Sequence, residues 1–144
     1  MKHSLRLSSL LILVPLLLFA AGAVQAGSRG SAAAALVKTA PGHMLVNAKG
    51  MTLYIFSKDV KGVSACTGGC ASAWPPLMVP KGAKVPAAMT GIPGKFGESM
   101  SAAGAQLTYD GSPLYTFASD MKPGDVNGEG IADAWWAVVV PSGM

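Results

Sequence analysis

The apolar positions of this 144-residue chain change character twice. From Leu10 to Val24 they run almost without a break. Beyond Ala40 they break into short stretches separated by turn residues. "MLV" and "TLYIF" flank "NAKG", a turn in which Gly50 is free to take positive φ. "QLTY" and "PLYTFA" flank "DGS", and Asp-Gly between alternating apolar runs is a strong hairpin signal. Further strands are predicted at "KFGESM", at "WPPLMV" over 74–79 and at "WWAVVV" over 135–140. Residues two apart in a strand share a face, so Tyr54 goes with Phe56 and Tyr115 with Phe117. Leu53 and Ile55 make the opposite face apolar as well, which predicts a strand covered on both sides. Only the first apolar run reads as helix with any strength.

That run is a leader rather than fold. Lys2 and Arg6 precede it, Pro15 interrupts it, and "VQAG" places small residues before a cut after Ala26. This is the pattern of a secretory signal peptide. It is shorter than the 18 or more apolar residues a spanning helix needs. The domain plan is a signal peptide at 1–26, a flexible tether at 27–41 and one β domain at 42–144. Such a chain is exported, to the periplasm or beyond, and keeps no membrane span.

The β domain is written twice. A gap-free slide of 61 positions brings Leu53, Tyr54, Phe56, Asp59 and Trp74 onto Leu114, Tyr115, Phe117, Asp120 and Trp135. In all, 13 identities fall within residues 46–82 and their partners, against about three expected at ordinary residue frequencies. Fixed-period self-similarity of this kind marks a repeat. A unit of about 40 residues is too small to bury a core alone. The two copies, about 42–82 and 103–143 with a linker at 83–102, are therefore expected to share one core under approximate two-fold symmetry. The fold class expected is mainly β: hairpin, loop and strand in each copy, arranged as a meander or a partly closed barrel. Tyr, Phe and Trp supply buried area, and Asp59 and Asp120 begin the loops as short acceptors for backbone N–H groups.

A glycine turn, LYxFxxD, CxxxC and WPP in the first copy meet QxTYxGxPLYxFxxD, GD and a GxG–tryptophan strand in the second. This order resembles the bacterial secreted-repeat family of predicted lipoproteins known by a YxFxxD motif. The resemblance spans about residues 43–141. It implies an exported envelope protein with a duplicated β unit and carries no activity, because the family's function is unknown. Many relatives are lipid-anchored, whereas this sequence has no cysteine near its cut.

Composition removes several function classes. Without the leader, nine basic residues face seven acidic ones, and no basic cluster exists, so nucleic acid is not an expected partner. GxSxG, HExxH, phosphate-loop and dinucleotide motifs are absent. The expectation is a non-enzymatic binding or accessory protein, its partner an unknown envelope component or small ligand, with no cofactor. Two other readings stay open. Metal handling would use Cu⁺ through His43 and scattered methionines, or Ca²⁺ at Asp125, Asn127, Glu129 and Asp133, which follow alternate positions of a calcium loop. Trp136 stands where that loop would need its bidentate carboxylate. Thiol redox chemistry would use Cys66 and Cys70. Their spacing is CxxxC in a β context, which favours a structural disulfide in an oxidising compartment. Trp135 corresponds to Trp74 and is expected inside. Trp136 is then the residue expected to be exposed or ligand-facing.

Overall fold

The computed structural model describes residues 36–142. The signal peptide, residues 27–35 of the expected tether, and Gly143 and Met144 lie outside the described residues. The fold is mainly β. Its strands are β1 (Val37–Ala40), β2 (Met44–Asn47), β3 (Tyr54–Phe56), β4 (Phe96–Ser101), β5 (Gly104–Tyr109), β6 (Ser112–Pro113) and β7 (Trp135–Ala137). One short helix, α1 (Gly69–Ala73), follows the first loop.

These strands make three small antiparallel sheets rather than one meander: β1 with β2, β3 with β7, and β4–β5–β6. Isolated bridges tie them together, and they do not close into a barrel. The expected strand at 74–79 survives only as single bridges at Pro76 and Met78. Pro75 and Pro76 bring no N–H to a ladder, so a continuous strand is not available there. The tether also ends earlier than expected. Val37–Ala40 pairs with Met44–Asn47 in full register and buries Val37, because the outer edge of β2 is free to accept another strand. The Asp-Gly turn forms as read, with Asp110 at φ 47° and Gly111 at φ 83°, both left-handed as a type I′ turn requires.

Backbone hydrogen bonds show how the copies fit. In one half, Leu45 N–H donates to Val138 O, Leu53 N–H to Leu45 O and Val138 N–H to Leu53 O. In the other half, Leu107 N–H donates to Leu77 O, Leu114 N–H to Leu107 O and Leu77 N–H to Leu114 O. Each ring of three bonds joins the hairpin of one copy to the last strand of the other. The last strands are thus exchanged. A gap-free slide would set Leu45 against Gln106, yet the structure sets it against Leu107. The first copy's turn holds one residue more, and a one-residue slip would turn the strand's apolar face outward. Between the halves, Tyr54 and Tyr115 exchange N–H···O bonds of 2.9 and 3.0 Å, which places the approximate two-fold axis between them.

The paired central segments at Tyr54 and Tyr115 separate two apolar layers, each built from both copies. Leu45, Leu53, Leu107, Leu114, Val138 and Val140 fill one, with Phe96 and Tyr109 from the linker side. Tyr54, Trp74, Tyr115 and Trp135 fill the other, with Phe56, Phe117 and the two cysteines against them. Leu53 and Tyr54 are neighbours in sequence and both fully buried, so the central strand is covered on both faces, as its sequence predicted.

Candidate functional site

The aromatic layer is built by reciprocity. Tyr54 Oη donates to Asp120 Oδ2 at 2.7 Å, and Tyr115 Oη donates to Asp59 Oδ2 at 2.8 Å. Each tyrosine therefore binds the aspartate of the other copy. The remaining oxygen of each carboxylate starts its own loop: Asp59 Oδ1 accepts from Ala65 N–H at 2.7 Å, and Asp120 Oδ1 from Asn127 N–H at 2.9 Å. A buried phenol needs an acceptor, and a carboxylate is a strong one. The expected loop-starting role of the aspartates is present, with the phenol bond added to it.

Between the two Tyr–Asp pairs the rings stack. Trp74 and Trp135 lie parallel, centroids 3.8 Å apart and planes within 1°. Phe117 stacks on the outer face of Trp74 at 4.1 Å, and Phe56 on that of Trp135 at 4.2 Å. Tyr54 meets Trp74 edge-on, as Tyr115 meets Trp135. Gly128 passes so close that a Cβ there would stand 2.7 Å from the Trp74 ring, and its N–H donates to Tyr54 Oη at 3.2 Å. No other residue fits that approach. Trp136, in the same strand, is 40 % exposed opposite Ile55.

Burial is the largest cause lifting the Tyr54 and Tyr115 phenols above the ordinary range. At Tyr54 the bond to Asp120 adds to it. At Tyr115 the bond from Ser64 offsets part of it, and Asp59 adds again. Tyr109 is raised too, again by burial first. Burial likewise raises the Asp59 carboxyl, and the bonds from Ala65 and Tyr115 offset part of that. A phenol whose pKa is higher in the folded than in the unfolded state stabilises the fold fully below pH 10.0, the ordinary value. It loses that contribution as the pH rises toward the folded value. The Tyr54 and Tyr115 phenols are thus expected to stay protonated at pH 10.0 while the fold lasts. In an alkaline titration of a Tyr109→Phe variant, tyrosinate absorbance should appear together with loss of β structure. Ionisation of Tyr54 or Tyr115 near pH 10.0 before any unfolding would contradict the buried bonds.

The two loops are then pinned by different means. In the first copy Cys66 and Cys70 are bonded, their Cα atoms 5.2 Å apart. A loop of five residues closed in this way contributes about 2 kcal/mol. In the second copy the polar side chains do the work. Asp125 Oδ2 accepts from Met121 N–H and Lys122 N–H, Glu129 Oε2 from Ala137 N–H, and Asn127 Nδ2 donates to Asp120 Oδ1. Asp133 is exposed. Three of the four candidate calcium ligands are thus turned to different partners, and among the described residues no group of three or more His, Cys, Asp or Glu gathers as a metal site. Asp125→Ala is expected to lower the melting temperature, while millimolar Ca²⁺ or EDTA leaves the melt of the unaltered protein in place. A calcium-dependent rise that Asp125→Ala removes would show that a cation orders the loop. Of the copper candidates, His43 and Met89 border one groove with Thr39 and Ile92, whereas Met100 and Met121 stand exposed elsewhere.

Symmetry fails at one more place. Beside the disulfide lies a cleft of about 160 Å³, bordered by Ser64, Cys66, Ala71, Pro76, Ala103 and Gln106. No lining residue carries a charge. Gln106 is fully buried, and its Nε2 donates to Leu114 O at 2.9 Å. That bond fixes the orientation of the amide and leaves Oε1 without a partner. A buried acceptor left unpaired is costly and calls for a partner. By the hydrogen-bond register the corresponding residue of the first copy is Met44. The sequence signal for this site was a glutamine opening an apolar strand, and the repeat slide did not single it out.

A family model described as a secreted repeat of unknown function matches residues 35–78 and 100–139, one match to each copy. The chain belongs to that family. No curated protein and no solved structure matches. Among the described residues no helix is long and apolar enough to cross a membrane.

Proposed function

We propose that this member of the secreted-repeat family is a non-enzymatic binding module of the cell envelope. Its signal is cut after Ala26, and it works in the periplasm or outside the cell. The duplicated core supplies a rigid frame, and the cleft over the Cys66–Cys70 disulfide is where it takes a small ligand. The observation that carries this reading is the cleft itself, about 160 Å³ and concave, lined by no charged residue and by Ser64, Thr67 and Ser101 among apolar neighbours. A pre-formed concave site with a few polar groups on a mostly apolar lining is the usual form of a small-molecule site.

The same geometry argues against catalysis. Asp59 and Asp120 are each committed to a phenol and to a backbone amide. The cleft offers no ionisable group to act as acid or base. The cysteines are spent on each other, which favours a structural over a redox role.

The test is a protein-observed NMR titration with a panel of small neutral donors: formamide, urea, acetamide and glycerol. At least one should move the Gln106 side-chain amide together with the backbone amides of Ser64 and Ala103. If every member of the panel leaves those resonances in place, the cleft is not a binding site.

A further inference from the structure

We infer that the outer edge of β4 is an association surface, and that the partner it fits is a second copy of this chain. The edge is defined by the β4–β5 ladder. On β5, Leu107 turns its N–H to Leu77 O and its C=O to Leu114 N–H, both away from β4. Glu98 lies directly opposite Leu107, so that pair is not hydrogen-bonded. Phe96, Glu98 and Met100 therefore point their backbone N–H and C=O groups outward. The linker takes one of these groups, with Phe96 N–H donating to Ala87 O at 3.0 Å. Among the described residues the outward groups of Glu98 and Met100 have no partner. Both side chains are exposed, Met100 by 74 %.

The duplication supplies a comparison. Thr39 faces Leu45 as Glu98 faces Leu107, so β1 is the counterpart of β4. β1 is guarded as edges that stay unpaired usually are: it has four residues, an exposed Lys38, and Pro41 directly after it. β4 has six residues, no lysine and no proline. A strand that pairs antiparallel with its own copy makes a closed two-fold dimer. One register fits. Glu98 against Glu98 sets like charges face to face and needs the Phe96 N–H that Ala87 already holds. Met100 against Met100 would pair Glu98 with Ala102, which lies in the turn beyond the strand. Glu98 of each copy against Met100 of the other uses the open groups of both residues, and each such pair exchanges N–H···O bonds. The β4–β5–β6 sheets of the two copies become one. Nine basic and seven acidic residues lie beyond the leader, so two copies repel little.

The test is sedimentation equilibrium of the chain freed of its leader. The interface is small, so a dissociation constant of about 100 µM is expected. Met100→Glu sets a second carboxylate opposite Glu98 and should weaken association about tenfold, whereas Met100→Lys should tighten it about threefold. Both changes fall at an exposed position and should keep the melt. Amide hydrogen exchange gives a second readout. The Glu98 and Met100 amides should gain protection as concentration rises, while those of Gly97 and Ser99, already paired with Thr108 and Gln106, should change little. A chain that stays monomeric up to about 1 mM overturns the inference. So does a dimer whose Glu98 and Met100 amides exchange freely, or one that both substitutions shift in the same direction.

Discussion

Trp135→Ala is expected to cost about 3–5 kcal/mol, as large truncations in a packed core do. For a domain of this size that is a large part of the whole stability, and it lowers the melting temperature by about 15 °C or more. The residue is 4 % exposed and sits between Trp74 and Phe56, with Tyr115 against it edge-on. Truncation removes one face of the tryptophan pair and opens a cavity that the strand carrying the adjacent Ala134 and Ala137 cannot fill. Trp74→Ala should match it closely, because the two positions are related by the duplication. Trp136→Ala is the control. Its side chain is 40 % exposed, so its loss should cost less than about 1.5 kcal/mol. Thermal melts followed by far-ultraviolet circular dichroism give all three values. Equal losses at Trp135 and Trp136 would contradict the assignment of faces.

A chain stopped after Pro80 is expected to have no cooperative melt at all. Such a chain keeps the first hairpin but loses Val138, whose N–H and C=O complete its ring of hydrogen bonds. It also loses Asp120, the acceptor for Tyr54, and Trp135, the stacking partner of Trp74. The remaining apolar strand edges have nothing to pair with except one another, so aggregation is the expected fate. Adding the second copy as a separate chain should restore structure in proportion to concentration, because the exchanged strands supply what each half lacks. A sharp melt of the first copy alone would show that it owns a core.

Much of this architecture is legible in the sequence. The repeat stood out because identical residues at one spacing cannot arise from local propensity alone. The Asp-Gly turn was legible because two consecutive positive φ values leave few residue choices. The opposite fates of Trp135 and Trp136 followed from strand alternation plus the equivalence with Trp74. What stayed hidden depends on which distant group a side chain meets. LYxFxxD invites a reading within one heptapeptide, yet Tyr54 bonds an aspartate 66 residues away. The clue was that a buried phenol must find an acceptor and that each copy offers one. Residues 36–41 looked like tether because small and polar residues surround Val37. Their order comes from the free edge of β2, a tertiary fact that the segment's own composition does not carry. Gln106 read as an ordinary strand residue, since an unpaired amide oxygen is visible only when its surroundings are.

The claim that each tyrosine is held by the other copy's aspartate is tested most directly by double-mutant cycles on folding stability. Tyr54→Phe combined with Asp120→Ala, and Tyr115→Phe combined with Asp59→Ala, should each show a coupling energy of about 1 kcal/mol or more, as hydrogen-bonded pairs in one network do. The same-copy combinations, Tyr54→Phe with Asp59→Ala and Tyr115→Phe with Asp120→Ala, should be additive within about 0.5 kcal/mol. Coupling confined to the same-copy pairs, or absent from all four, would contradict the exchange on which this fold is built.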